Sequence, residues 1–192
     1  MTETLRSGIL NGYQYSVWSA ECKTYMDPCE DTDFKFATWH RRYALGTDNF
    51  VSTKPSPEEW KKENPGIHFS VWLYDHSGLA LSLGPFSCPW DSGWLGLLTF
   101  PDSVAAEYLS VAETTMRKGR PRYKKRMEYW AEIFIREKNQ YLAGSAYAGS
   151  IKKDGVEVAD FGPALYGGPD ELVREIEASM DFLLSRSQSV GS

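Results

Sequence analysis

Large apolar residues alternate with polar ones in several short stretches of the chain. Tyr13-Gln14-Tyr15-Ser16-Val17-Trp18 does so, and so does the run from Phe34 to His40. A period of two sends successive side chains to opposite faces of a strand. Ile67 to Tyr74 is the clearest case, with Phe69, Val71 and Leu73 on one face and His68, Ser70 and Trp72 on the other. Leu79 to Leu83 resumes the alternation, and Trp94 to Phe100 supplies a further strand. Asp75-His76-Ser77-Gly78 reads as a turn, with Gly78 free to take a positive φ. Together these stretches predict an antiparallel meander.

A helical period takes over in the second half. Tyr123, Met127, Trp130, Phe134 and Tyr141 recur at helical spacing, which predicts a helix over 122–142 with Trp130 and Phe134 buried. Ala143-Gly144 stops it. Residues 58–63 predict a short helix with Ser56 as N-cap and Pro57 at the first helical position. Asp102 opens another short helix in a surface segment. Asp154-Gly155 centres a hairpin, since Asp-Gly favours the turn that joins two strands tightly. Pro169 and two acids open a last helix, striped by Leu172, Ile176, Met180 and Leu183. Residues 1–12 read as a lead-in, 19–33 as an acidic loop and 185–192 as a disordered polar tail. The fold expected is α+β: a mainly antiparallel sheet with helices packed on one face. A chain of 192 residues suits a single domain of this kind.

Composition narrows the function classes. Net charge is −5, which argues against a protein that coats nucleic acid. No apolar run approaches the length of a membrane span, and the first residues lack the basic and apolar segments of a secretory signal. Cys22, Cys29 and Cys88 are an odd set without a paired motif, so a reducing cytoplasm is expected rather than a disulfide framework. Their spacing also matches no compact zinc pattern, and no metal or cofactor is expected. Aromatic residues make up 14% of the chain, which fits a core built from large rings.

Candidate chemistry concentrates between Tyr74 and Gly93. One reading makes Cys88 a nucleophile, His76 its base and Asp91 or Asp75 the orienting acid of a hydrolase. In a simple meander His76 and Cys88 lie at opposite sheet ends. The loop from Gly84 to Gly93 must therefore fold back for the pair to exist. Pro85 and Pro89 stiffen that loop, Phe86 and Trp90 offer apolar anchors, and an ordered loop is expected. A second reading is a binding site for a small anionic or nucleotide-like ligand. The long connection after His40 lets the strands before His40 and before Asp75 run parallel. That arrangement brings His40, Arg41, Arg42, Tyr43 and Asp48 to the same sheet end as Tyr74, Asp75, His76 and Ser77, with Trp90, Asp91 and Ser92 nearby. Alternatively Arg41 and Arg42 pair with the acidic loop. Asp75, Asp91 and His76 form a further, minor candidate set for a metal ion. A third reading rests on Arg117, Lys118, Arg120, Arg122, Lys124, Lys125 and Arg126, which invite a nucleic-acid partner. At a helix N-terminus such cations oppose the helix dipole.

The segments His40 to Gly46, Leu73 to Gly78 and Phe86 to Gly93 form a set, HRRYxLG, LYDHSG and FSCPWDSG. In this set the chain resembles a family of uncharacterised phage and prophage proteins. A weaker similarity follows at Tyr141 to Gly144 and at Tyr147, whereas Trp94 stands where the family often has glutamine. The resemblance implies a phage accessory protein, host-directed or counter-defence, in the cytoplasm of an infected bacterial or archaeal host. It implies no activity. The function expected is binding of a small anionic ligand or of a host protein. A Cys–His hydrolase and a nucleic-acid binder are the alternatives.

Overall fold

The computed structural model describes residues 3–20, 27–30, 32–51 and 54–189, with side chains described through residue 180. In chain order the strands are β1 (Thr4–Leu10), β2 (Tyr13–Ser19), β3 (Lys35–Thr38) and β4 (Asp48–Asn49). Helix α1 (Pro57–Glu63) leads into β5 (Gly66–Asp75), β6 (Leu79–Ser82) and β7 (Ser92–Pro101). Then come α2 (Asp102–Tyr108), α3 (Glu113–Leu142), β8 (Ala146–Lys153), β9 (Val156–Leu165) and α4 (Pro169–Ser189). The fold is α+β and mainly antiparallel, with its strands shared between two sheets. No helix among the described residues is long and apolar enough to cross a membrane.

The chain divides into two compact units, Met1–Tyr25 with Gly144–Ser192, and Met26–Ala143. In the first unit four antiparallel strands run in the order β1-β2-β8-β9. The expected lead-in is in fact strand β1. Asn11 (φ 52°) and Gly12 (φ 80°) both take left-handed backbone, which closes a two-residue hairpin onto β2. Asp154 (φ 51°) and Gly155 (φ 80°) close the β8–β9 hairpin in the same way, as expected. Val17 and Ile151 of the sheet bury against Leu172, Ile176 and Met180 of α4. Arg6 and Asp170 form an ion pair at 2.7 Å, which holds Arg6 above and Asp170 below their ordinary pKa values. The helix runs on to Ser189, into the segment expected to be a disordered tail; residues 190–192 lie outside the described residues.

In the second unit five strands run in the order β4-β3-β7-β5-β6. Strands β3 and β5 are each antiparallel to β7, so they run parallel to each other and end on the same side. One sheet face carries Phe36, Phe69, Leu98 and Phe100, buried with Met127 and Phe134 of α3. The opposite face carries Ala37 and Leu97, covered by Trp60 of α1 together with Trp39, Phe50 and Trp94. The aromatic excess is thus largely core, and α1 alone of this unit's helices takes the second face. Its N-terminus is the expected one, a reciprocal capping box between Ser56 and Glu59 with Pro57 at the start.

Helix α3 corrects three expectations. It begins at Glu113 rather than near 122, so the basic run lies within the helix and not at its N-terminus. Gly119 and Pro121 look like breakers, yet a Cβ at 119 would stand 2.7 Å from the ring of Tyr123. Gly119 is there to let Tyr123 pack. Pro121 is tolerated on the exposed side. Phe134 is buried as expected, but Trp130 is 36% exposed and meets the rings of Tyr108 and Tyr129 edge-on, at 4.9 and 5.5 Å between centroids. The buried stripe instead runs through Met127, Ala131, Phe134, Ile135 and Lys138. Lys138 pairs with both carboxylate oxygens of Asp27, at 2.5 and 2.6 Å. Asp102 is likewise no surface residue. It is 5% exposed and takes a two-pronged bond from Arg120, with Arg117 3.7 Å away.

Candidate functional site

The shared end of β3 and β5 builds the site. Asp75 ends β5, and its Oδ2 accepts bonds from Arg42 Nη2 at 2.7 Å and from the Tyr43 hydroxyl at 2.9 Å. Arg42 therefore pairs across the sheet end, and among the described residues no ion pair joins it to the acidic loop. His40 stacks on the Tyr43 ring at 5.1 Å, nearly parallel, and its Nδ1 accepts the Arg42 backbone N–H at 3.3 Å. Burial holds the His40 pKa below its ordinary value, and the Arg42 charge adds to this. The hydrogen bond to Asp75 raises that of Tyr43. Gly46 closes the corner, because a Cβ there would sit 2.1 Å from the Phe36 carbonyl oxygen.

The loop after β6 does fold back along the sheet. The Asp75 N–H donates to the Asp91 carbonyl at 2.7 Å, and Tyr74 meets the ring of Phe86 at 5.4 Å. The Ser92 hydroxyl donates to the Cys88 carbonyl at 2.5 Å and tightens the turn between them. Asp91 Oδ2 accepts the Cys88 thiol at 3.4 Å and lies 3.4 Å from His76 Nδ1. Cys88 and His76 are therefore brought to one place, with the carboxylate between them. A nucleophilic triad places the imidazole in the middle. Here the order is thiol, carboxylate, imidazole. Of the two expected anchors Phe86 packs, whereas Trp90 is 93% exposed.

These residues enclose a cleft of about 470 Å³ lined by His40, Arg42, Asp75, Trp90, Asp91 and Ser92. Leu73 and Gly93 complete the lining and were not expected. Tyr43, Tyr74, His76 and Cys88 adjoin it through the contacts above. Three expected members stand apart. Asp48 belongs to β4 and pairs with Ala37, the Ser77 hydroxyl donates to the neighbouring His76 carbonyl, and Arg41 is exposed beside the cleft. Among the described residues no group of three or more His, Cys, Asp and Glu side chains is placed to hold a metal, so the Asp75–Asp91–His76 set is not one. Cys29 is buried, and burial pushes its thiol up to about 12.

The basic run does not form one surface. On a helix Arg117, Arg120 and Lys124 share one side, and Lys118, Arg122 and Lys125 the next. Arg117 and Arg120 are bound to Asp102, Lys124 lies over the Phe69 ring, and Arg122 lies over the Tyr123 ring. Arg126 is exposed beyond both rows. No family model, no curated protein and no solved structure matches the chain.

Proposed function

We propose that the cleft at the end of β5 binds a small anionic ligand that carries a planar ring, of the nucleotide class. The observation behind this is Trp90, an indole 93% exposed at the rim of a cleft that also holds a guanidinium. An exposed indole on a turn tied down by Asp91 and Ser92 is a prepared stacking surface. Arg42 is 69% exposed and engages Asp75 through one nitrogen, which leaves other N–H groups for an anion. Asp91 stands ready to accept N–H groups from a ring. A host-directed or counter-defence role fits such binding in the phage setting that the motif set implies. The hydrolase alternative is less favoured, because the thiol of Cys88 donates to Asp91 rather than to an imidazole.

Isothermal titration with adenosine and guanosine phosphates, with adenosine and with inorganic phosphate as controls, tests the reading. The expected result is saturable nucleotide binding, weakened about tenfold by Trp90→Ala and by Arg42→Ala. Equal affinity in both variants, or no heat with any nucleotide at millimolar concentration, would sink the proposal.

A further inference from the structure

Strand β5 is flanked by β7 along its length but by β6 only from Trp72 to Asp75. Its other edge, from Gly66 to Val71, faces no strand among the described residues. Asn139 reveals which backbone groups point there. Its side chain accepts the Leu81 N–H at 2.7 Å and donates to the Leu81 carbonyl at 3.0 Å, so Leu81 turns its peptide groups away from β5. Leu81 stands opposite Leu73, which therefore faces β7. Alternation then gives Ile67, Phe69 and Val71 to β7 and leaves the N–H and C=O of Gly66, His68 and Ser70 at the open edge. The far side of β7 agrees. The Leu95 carbonyl accepts the Trp39 N–H, so Leu95 faces β3, and Gly96, Leu98 and Phe100 face β5.

A groove of about 410 Å³ runs along this edge, lined by Gly66, His68 and Ser70 and by the cations Lys61, Arg120 and Lys124. Lys124 lies 5.3 Å from the Phe69 ring centroid and has no carboxylate partner among the described residues. The Lys61 pair with Glu58 is exposed, at 3.3 Å. His68 sits in the middle, its Nδ1 3.0 Å from the Thr99 hydroxyl. Burial first, and then the charges of Lys61, Arg120 and Lys124 against that of Asp102, lower its pKa to about 4. All three cations thus act on one point of the edge.

We propose that this groove is a docking site for an acidic, extended segment of a partner protein, which adds to β5 as a further strand. Strand edges are ordinarily blocked, as Asn139 blocks β6. Here the backbone groups of His68 and Ser70 have no strand partner among the described residues, and positive charge lies beside them. Positive charge repels a basic strand and attracts an acidic one, and the peptide groups of half-buried His68 and exposed Ser70 supply the bonds that a strand, rather than a coil, can use.

The test uses the full chain and a fluorescein-labelled peptide of alternating Glu and Val, read by fluorescence anisotropy. Saturable binding is expected, weakened at least tenfold by Lys124→Glu and by Ser70→Pro. The proline removes an N–H that faces the open edge and spares the ladder to β7. N-methylation of alternate peptide bonds in the probe should abolish binding, and this arm leaves the protein unaltered should Ser70→Pro fail to fold. No binding at low salt, or binding indifferent to N-methylation, would overturn the proposal. So would an oligonucleotide that binds more tightly through the same residues, which would make the occupant a nucleic acid. Self-association of the chain that Ser70→Pro abolishes would make it a second copy.

Discussion

Strand β5 presents opposite surfaces at its two ends, separated by roughly 30 Å of regular strand. At the Asp75 end, side chains engage one another: Arg42 and Tyr43 share a carboxylate, Asp91 holds Cys88 and His76, and the loop is bonded to the strand. At the Gly66 end the backbone itself is open, and three cations surround it. A tied side-chain network with a bare indole and a partly free guanidinium presents a small shaped surface, suited to a small molecule. An open edge presents repeating donors and acceptors, suited to another chain. Both ends hang on one strand and one core, so variants can separate what belongs to each end from what they share.

The shared part should give the largest effect. Phe134 is 3% exposed and meets Phe34 and Phe36 edge-on, at 4.9 and 5.7 Å. Phe134→Ala should cost about 3–5 kcal/mol in chemical denaturation. Trp130→Ala, on the same helix but partly exposed, should cost about 1 kcal/mol or less. Equal losses would show that the stripe on α3 is drawn wrongly and that the two ends do not share this core.

Asp102 separates the ends. Its carboxylate is buried while Arg120 is 38% exposed, so the cation can return to water when the acid is removed. Asp102→Asn should therefore lower stability by about 1–3 kcal/mol, short of the cost of stranding two buried charges. It should also loosen the groove at Gly66 and leave nucleotide affinity at the other end unchanged. Weakened nucleotide binding in a folded Asp102→Asn protein would mean that the ends are coupled.

Proton binding provides a third contrast. The folded pKa of His68 is about 4, below the ordinary histidine value of 6.5, so between these values the unfolded chain binds the extra proton. Stability from this group is complete above about 6.5 and lost as pH falls toward 4. Discounted for partial exposure, the loss is about 1–2 kcal/mol. His40 at the cleft end is shifted in the same direction. The readout is the difference between wild type and His68→Gln across that window, which removes the carboxylates common to both. A difference that does not change with pH would show that His68 is not held neutral.

Local patterns made much of this legible. The alternation from Phe69 to Leu73, the Ser56 cap and the Asp154-Gly155 turn each encode their element within a few residues. The Asn11-Gly12 turn carried the same signal, and strand β1 was nevertheless missed. The start of α3 was hidden because Gly119 and Pro121 are penalised by intrinsic propensity, while the packing of Tyr123 favours the helix. The residues of the cleft stood out through rare side chains, yet their convergence depends on the bond from Asp75 to Asp91, which no local pattern reports. The groove at Gly66 was silent. Lys124 is far in sequence from Lys61 and His68, and an open edge is defined by a missing neighbour that no local pattern reports.

The smallest effect expected is also the sharpest test of how the cleft end is built. Trp90 buries almost nothing, so Trp90→Ala should leave the denaturation midpoint within about 0.5 kcal/mol of wild type. The loop from Gly84 to Gly93 is held without it, by the Asp75–Asp91 backbone bond, the Ser92–Cys88 bond and the Tyr74–Phe86 contact. Amide exchange across 84–93 should accordingly stay as slow in Trp90→Ala as in wild type. In Asp91→Ala the amides near Cys88 and His76 should exchange faster, because their common carboxylate is gone, although the backbone bond persists. Such a pattern places Trp90 outside the folding of the loop and leaves its surface free for a ligand. If Trp90→Ala instead frees the whole loop, the indole is a structural anchor after all, and the stacking surface on which the cleft's proposed role rests does not exist.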